Sequence, residues 1–270
     1  IVNGFDKTQS ILRDTVTTDY MSQGGSAVFL VNNTSSRTAS TRGLNGQIVP
    51  NPLNLTQNTA TLAPWHDLVT VNDFNMFTAQ SNLTKPMQAS VMTTINRKID
   101  DDIIALLNTA TNDCGAATTA SVNMIQHARV ILGNNKVPND GNLTLLATPA
   151  MTGYLMQATE FSSADYVSAR PFVDGGPAWG DSRMVYKWMG LTIIEDPTLP
   201  GVGTSNEQCF LYHKSAVGHA LDKNAIQFDM DFNREQKYSW ANCTAFLGSV
   251  LLQNAGVVVI NHDASGYAAT

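Results

Sequence analysis

The chain has 270 residues, of which 43% are hydrophobic and only 14% charged, and its net charge is −6. Average soluble domains carry about 25% charged residues, so much of the polarity here comes from Asn, Thr, Ser and Gln. The length allows a core without disulfide or metal support, no stretch reaches the ~18 apolar residues of a membrane span, and singly spread basic residues disfavour a nucleic-acid footprint.

Residues 20–66 form the first distinctive segment, because Arg37 and Arg42 are its only charged side chains. It is rich in Asn, Thr, Ser and Gly, which is compatible with a flexible linker. It also contains the apolar residues 27–31, Leu62 and Trp65, which need burial. An extended arm buried against neighbouring chains therefore fits better than a linker.

A long amphipathic helix is predicted from Thr84, with Pro86 in its first turn and a stop at residues 112–115. Its apolar residues recur every four positions: Met87, Val91, Ile95, Ile99, Ile103 and Leu107. Three consecutive acidic residues, 100–102, fan around a helix and cannot converge on one metal ion. We expect them to form a solvated face, with Arg97 and Lys98 pairing with Asp101 and Asp102.

The middle of the chain reads as alternating helices and strands. We predict a helix at about 119–132 and a buried strand at 143–147, then a helix capped by Thr148 that starts at Pro149 and runs to about Gln157. Residues 161–181 are predicted as a long loop with a Gly-Gly-Pro turn, and 184–195 as two strands turning near Met189 and Gly190.

The last third is predicted to be rich in strands. Residues 209–212 read as a strand and 213–221 as a short helix. Strict alternation over 226–232 predicts a half-buried strand, with Asp229 and Asp231 on its polar face. These two carboxylates could hold calcium with a third ligand, although an outward polar face explains them better. Strands at 245–253 and 257–260 are expected to pair as a hairpin, with Gly256 at positive φ.

Catalytic and metal-binding patterns are weak. Residues 1–4 are similar to the mature start of a trypsin-like protease, and His66 and Ser182 follow in a suitable order. Ser182 is followed by Arg183 rather than by the glycines of an oxyanion turn, and a long helix does not fit a double β-barrel. The five histidines and three cysteines lack metal-site spacing. We predict no catalytic, cofactor or metal site and no disulfide scaffold.

Three phrases carry a resemblance to a known family. They are 97–107 (RKIDDDIIALL), 186–194 (YKWMGLTII) running on to Leu199-Pro200, and 210–220 (FLYHKSAVGHA). Their order resembles the spine helix, the strand pair with an "LP" turn and the late strand of the major capsid protein of tailed bacteriophages (Caudoviricetes). The resemblance implies the Hong Kong-97-type fold, an α+β fold with an N-terminal arm, an extended β-hairpin loop, a peripheral domain with a spine helix and an axial α/β domain.

Carried onto this chain, the resemblance implies an arm at 1–32, an extended loop at 33–66, a peripheral domain at 67–113 and 226–270, and an axial domain at 114–225. It implies a shell protein, not an enzyme, that forms hexamers and pentamers of an icosahedral head around double-stranded DNA without sequence-specific binding. Portal, scaffold and decoration proteins would be its other partners, with assembly in the bacterial cytoplasm and no membrane. Arg37, Arg42 and Trp65 are the expected residues between subunits.

Two alternatives stay open: an encapsulin-like compartment with the same fold and a protein cargo, and a serine hydrolase using Ser182 or another serine with a histidine. Some family members crosslink through a Lys on the extended loop. This chain has no Lys between Lys7 and Lys85. We therefore predict a non-covalent shell.

Overall fold

The computed structural model describes residues 10–21, 23–33, 37–48, 50–79, 83–162 and 185–267. Their helices are α1 (Asp73–Thr78), α2 (Thr84–Leu107), α3 (Val122–Asn134), α4 (Pro149–Gln157) and α5 (Thr159–Ser162). The strands are β1 (Thr17–Met21), β2 (Ser26–Asn32), β3 (Leu55–Thr61), β4 (Ala63–Asn72), β5 (Thr118–Thr119), β6 (Leu143–Ala147), β7 (Val185–Trp188), β8 (Leu191–Glu195), β9 (Glu207–His213), β10 (Val217–Asn233), β11 (Tyr238–Leu251) and β12 (Val257–Asp263).

A four-stranded sheet in the order β1-β10-β11-β4 supports the long helix α2. All six predicted stripe residues of α2 are buried, which confirms the helix and its apolar face. They pack with alternate residues of the sheet, such as Ala241, Cys243 and Ala245 of β11. The predicted alternation of β10 is also confirmed, because Asp229 and Asp231 are exposed on the other face.

A six-stranded sheet in the order β5-β12-β9-β6-β8-β7 forms the second layer. Side chains alternate across it: Cys209 and Leu211 of β9 face the cluster of α3 and α4, whereas Phe210 and Tyr212 face the cluster of α2. This sheet therefore lies between two hydrophobic cores, which is why β6, β9 and β12 read as nearly continuous apolar runs.

Strands β2 and β3 pair with each other as a separate two-stranded sheet, here called the ribbon. Its inner face rests on the first sheet through Ala27 and Ala60, which pack against Ala220. The Asn58 side-chain amide also donates to the Leu252 carbonyl at 3.3 Å. The ribbon begins at Ser26, so it takes in part of the segment 1–32 that the sequence assigned to the arm.

Several local predictions are confirmed in detail. The Thr148 hydroxyl accepts a hydrogen bond from Met151 N at 3.2 Å, and Pro149 opens α4. Strands β7 and β8 turn at Met189 and Gly190, which have φ of 49° and 77°. Two successive positive φ values are what a tight two-residue hairpin requires.

The predicted short helix at 213–221 is wrong. Only Lys214–Ala216 form a 3₁₀ turn, and Val217 opens β10. The segment pairs in parallel with β1 on one side and antiparallel with β11 on the other. Hydrogen bonding to strands distant in sequence overrides the helical preference of its small residues.

The predicted terminal hairpin is also wrong. Both strands exist, but β11 pairs with β10 and β4, whereas β12 pairs with β9 and β5. The 3₁₀ turn Asn254–Gly256 carries the chain from one sheet to the other. Gly256 is required there by space rather than by a positive φ, because an added Cβ would lie 2.8 Å from Ala216 Cβ.

The sheets cross the sequence-based limits at several points, two of which concern the peripheral and axial domains. Residues 217–225 were assigned to the axial domain but belong to β10 in the sheet under α2, and β12 was assigned to the peripheral domain but lies in the six-stranded sheet. Ser182, residues 1–4 and most of the loop predicted at 161–181 lie outside the described residues. Residues 159–162 form α5.

Candidate assembly surfaces

The outer face of the ribbon is uncharged and combines apolar with neutral polar side chains. Alternation places Val28, Leu30 and Leu55 on it, and all three are exposed. Their cross-strand partners are the uncharged Thr59, Gln57 and Asn32. Exposed apolar residues gathered on one face mark a candidate contact with another molecule, and no residue in the described part of the chain covers these three.

Residues 37–48 and 50–54, which belong to the connection between the two strands, carry further exposed apolar side chains. Leu44, Ile48 and Leu53 are exposed here. Arg37 and Arg42, which were predicted to lie between subunits, are exposed in the single chain. The Arg37 guanidinium donates within the loop to the Asn51 carbonyl at 3.4 Å. Whether either arginine reaches a second subunit stays a prediction.

Trp65, the third residue predicted to lie between subunits, is positioned on β4 opposite Ala245 of β11. The Lys98 ammonium of α2 lies 3.9 Å from the centroid of its ring. Trp65 keeps 37% of its surface exposed. It therefore makes a contact inside the subunit and still offers part of its ring to a neighbour.

The short helix α1, between β4 and α2, is a surface that the sequence reasoning missed. Phe74 and Phe77 are 72% and 87% exposed, and α1 has no buried residue. Its signal in the sequence is a pair of phenylalanines spaced i, i+3, which places both on one helical face.

The segment of residues 10–21, here called the arm, is held by the interior of its own subunit. Ile11, Leu12 and Val16 are buried in the core next to α2. The Thr15 hydroxyl hydrogen-bonds the Tyr212 hydroxyl at 2.5 Å. Strand β1 completes the anchoring by pairing in parallel with β10 from Thr17 to Met21.

Asp100 corrects the prediction of a solvated acidic face, because its side chain is completely buried. Its Oδ1 accepts hydrogen bonds from Ser10 Oγ at 2.6 Å and Leu12 N at 3.2 Å, and Oδ2 accepts from Ile11 N at 3.4 Å. Burial, with Asp196 as a further negative charge, raises the pKa of Asp100 to about 7 despite these donors. The available signal was that Asp100 lies one turn before Ile104, on the flank of the buried stripe.

One cluster has the composition of a catalytic triad. His213 Nδ1 accepts the Ser215 N–H at 3.2 Å and lies 2.8 Å from its hydroxyl, while Nε2 lies 3.0 Å from Asp140 Oδ1. Hydrogen bonds from Asn142 and His213 lower the pKa of Asp140 to about 2. The Ser215 N–H is used by His213, so it cannot stabilise an oxyanion on this serine. The geometry is that of a side chain that caps a 3₁₀ turn.

Two further histidines are buried. His262 Nε2 contacts the Thr148 hydroxyl at 2.9 Å and Glu207 at 3.2 Å. His219 Nδ1 contacts the Ser249 hydroxyl at 2.9 Å. Burial lowers the pKa of both rings, that of His219 to about 4, so His219 is neutral at pH 7. Full burial keeps them from any substrate.

A metal site was also considered from the sequence. In the described part of the chain, no group of three or more His, Cys, Asp or Glu side chains could hold a metal ion. Cys114, Cys209 and Cys243 are free thiols in the structure. No described helix is long and apolar enough to span a membrane.

Solved structures with the same fold come from phages and include capsids. A chain of Mycobacterium phage Che8 matches with a TM-score of 0.74 and 16% identity, over 96% of this chain and 94% of that one. The capsid of cyanophage P-SCSP1u matches with a TM-score of 0.69 and 14% identity, over 97% of this chain and 90% of that one. The capsid of Ralstonia phage GP4 matches with a TM-score of 0.69 and 10% identity, over 97% of this chain and 93% of that one. At these identities the likeness shows the fold, and it confirms the predicted α+β, Hong Kong-97-type class.

No curated protein matches the sequence. The model of one family, described as phage capsid protein, matches residues 5–264, which is nearly the whole chain. The exposed ribbon, the arm and the long helix α2 packed on the first sheet are therefore parts of a shell subunit. The chain belongs to the phage capsid protein family.

Proposed function

We propose that the chain is the major capsid protein of a tailed phage and assembles into hexamers and pentamers of an icosahedral head that encloses double-stranded DNA. The outer face of the ribbon is the observation that carries this proposal. Val28, Leu30 and Leu55 are exposed on an element that is too small to be stable by itself. A second copy of the chain is the partner that a shell supplies at every position.

The charge pattern of the ribbon supports contact with another subunit rather than with water. Arg37 and Arg42 are the only charged residues from 20 to 66, so burying this segment requires few charges to be desolvated. We propose that the two arginines and the exposed part of Trp65 contact the neighbouring subunit. The absence of Lys in this segment favours a shell held together without covalent links.

The division into domains is also part of the proposal. The four-stranded sheet with α2 would form the peripheral domain, and the six-stranded sheet with α3 and α4 the axial domain. This division follows sheet membership rather than the limits 114–225 and 226–270. The acidic net charge of −6 would let packaged DNA move along an inner wall that does not hold phosphates tightly. Portal, scaffold and decoration proteins, and assembly in the host cytoplasm, complete the proposed setting.

Electron microscopy of the purified protein tests the proposal. We expect closed shells of uniform size. A monodisperse monomer under all assembly conditions would contradict it. Shells that form around a protein cargo and exclude DNA would instead favour the encapsulin-like alternative.

A charge placed on the ribbon tests the surface itself. Leu30→Glu should abolish shell formation, because the new carboxylate would be buried at a subunit contact without a partner. The subunit should still fold, since Leu30 is exposed. Val202→Glu, at an exposed apolar residue outside the ribbon, is the matched control. Normal shells from the Leu30 variant would show that the ribbon face is not covered in the particle.

A further inference from the structure

We propose that Asp100 is a positioning residue that locks the arm onto α2 and thereby sets the direction of the ribbon. This inference rests on the proposed function only in its second half, where the ribbon contacts another subunit. The locking itself is a property of the single chain.

The lock consists of hydrogen bonds from the arm to Asp100 of α2, two segments that are distant in sequence. The 3₁₀ turn Leu12–Thr15 has no side-chain cap of its own, and Ile11 at its N-cap position supplies no acceptor. The first amides of such a turn need an acceptor when they are buried. Asp100 supplies both carboxylate oxygens to Ser10, Ile11 and Leu12, across 88 to 90 residues of sequence.

The burial of Asp100 shows why this contact must be specific. A carboxyl group without partners would be costly in a helix face otherwise lined by Ile99, Ile103 and Ile104. When the arm leaves, Asp100 loses three donors, and three donors in the arm lose their acceptor. Docked and undocked arms therefore differ by a set of polar contacts as well as by the apolar burial of Leu12.

The consequence for the ribbon follows from chain connectivity. The 3₁₀ turn leads directly into β1, whose register with β10 runs from Thr17 opposite Gly218 to Met21 opposite Asp222. β2 begins at Ser26, and the Gly25 carbonyl accepts from Leu62 N at 3.0 Å where the chain leaves the ribbon. A docked arm thus adds an anchor at the start of the ribbon, and a loose arm leaves the ribbon held by its inner face and by its connection to β4.

Hydrogen exchange followed by mass spectrometry tests the lock on the unassembled chain. In Asp100→Ala, amides in residues 10–16 should exchange about tenfold faster or more, because the buried donors of Ile11 and Leu12 lose their acceptor. Exchange in β6, residues 143–147, serves as the internal reference. Asp101→Ala, at the exposed neighbour on the same helix, should leave both segments unchanged.

Milder variants cover the case in which Asp100→Ala does not fold. Asp100→Asn keeps an oxygen in the place of Oδ1 and should give intermediate exchange in residues 10–16. Ser10→Ala removes one donor from the arm side and should give a smaller increase. Wild-type exchange in all three Asp100 and Ser10 variants would overturn the lock.

The same variants, examined by electron microscopy, separate the two halves of the inference. We expect Asp100→Ala to form fewer or irregular shells, with Asp101→Ala forming normal ones. If the wild type forms no shells, the proposed function fails while the exchange result still decides the lock. If the variant has a loose arm and normal shells, the positioning role is overturned and the proposed function stands.

Discussion

The arm and the ribbon follow each other directly in the chain, yet their apolar residues meet opposite environments. Ile11, Leu12 and Val16 of the arm are buried by their own subunit, whereas Val28, Leu30 and Leu55 of the ribbon are exposed. From the sequence, burial by neighbouring chains was expected for residues 20–66, which include the ribbon. The difference shows that the sequence of an extended, apolar segment does not reveal whether its own subunit or a neighbouring chain buries it.

The largest expected contrast comes from shortening one leucine in each region. Leu12→Ala should destabilise the unassembled subunit by about 4 kcal/mol, because it removes a fully buried side chain. Leu44→Ala in the ribbon's loop should change stability by less than about 0.5 kcal/mol, because Leu44 is fully exposed. Urea unfolding measures both. Equal effects would contradict the division of the two regions.

The pH dependence of stability should reveal the carboxyl group that holds the arm. The pKa of Asp100 is raised to about 7, so the folded chain binds this proton more tightly than the unfolded chain. Its contribution to stability is fully present below about pH 4 and is lost as the pH rises through 7. Between pH 4.5 and 8, the free energy of unfolding of the wild type should fall by about 3 kcal/mol relative to that of Asp100→Asn.

His219 acts in the opposite direction, since its pKa is lowered to about 4 and its contribution is lost as the pH falls below 6.5. Both proteins contain His219, so the difference between them isolates Asp100. Unfolding curves at a series of pH values supply the measurement. A difference that does not change with pH would show that Asp100 keeps an ordinary pKa.

The seat of the ribbon on the first sheet can be tested at a glycine. A Cβ at Gly248 of β11 would lie 2.1 Å from the Thr61 carbonyl oxygen at the end of the ribbon. Gly248→Ala should therefore cost about 2 kcal/mol and loosen residues 55–61 in hydrogen exchange. Gly43→Ala is the control, because its Cβ would be at 3.7 Å from its nearest neighbour. Unchanged exchange in the Gly248 variant would mean that the ribbon is not seated at this point.

The smallest expected effect concerns Trp65, which has features of both regions. Lys98→Gln should reduce stability by less than about 1 kcal/mol, because the cation lies over a ring that is partly exposed. The fluorescence of Trp65 should change at the same time, measured in a background with the other tryptophans replaced. A loss well above this size would place Trp65 with the buried arm rather than with the surface.

Elements with a strong local signal were predictable from the sequence. The four-residue apolar repeat specified α2, and Thr148 with Pro149 specified the start of α4. Elements that depend on distant partners were not. Val217 to Leu221 became a strand because β1 and β11 flank it, and β12 left its expected hairpin to join β9.

The candidate surfaces divide in the same way. Low charge around Arg37 and Arg42 pointed to the ribbon region, since composition is a property of the sequence itself. The position of Asp100 beside the buried stripe was a signal for its burial, but nothing within its own helix indicates that Ser10 and Leu12 will donate to it. From local spacing alone, all three carboxylates of residues 100–102 were expected to be solvated. In the fold, Asp100 is instead a hydrogen-bond acceptor in the core.

The parallel pairing of β1 with β10 has a consequence for the order of events on the ribosome. Thr17 must wait for Gly218, about 200 residues later, before it gains its partner. At 5–20 residues per second, that delay is roughly 10–40 s. A nascent or truncated chain has no β10 on which to seat its first strand. A chain that ends before β10 therefore cannot seat β1, and its ribbon lacks the anchor that the arm provides.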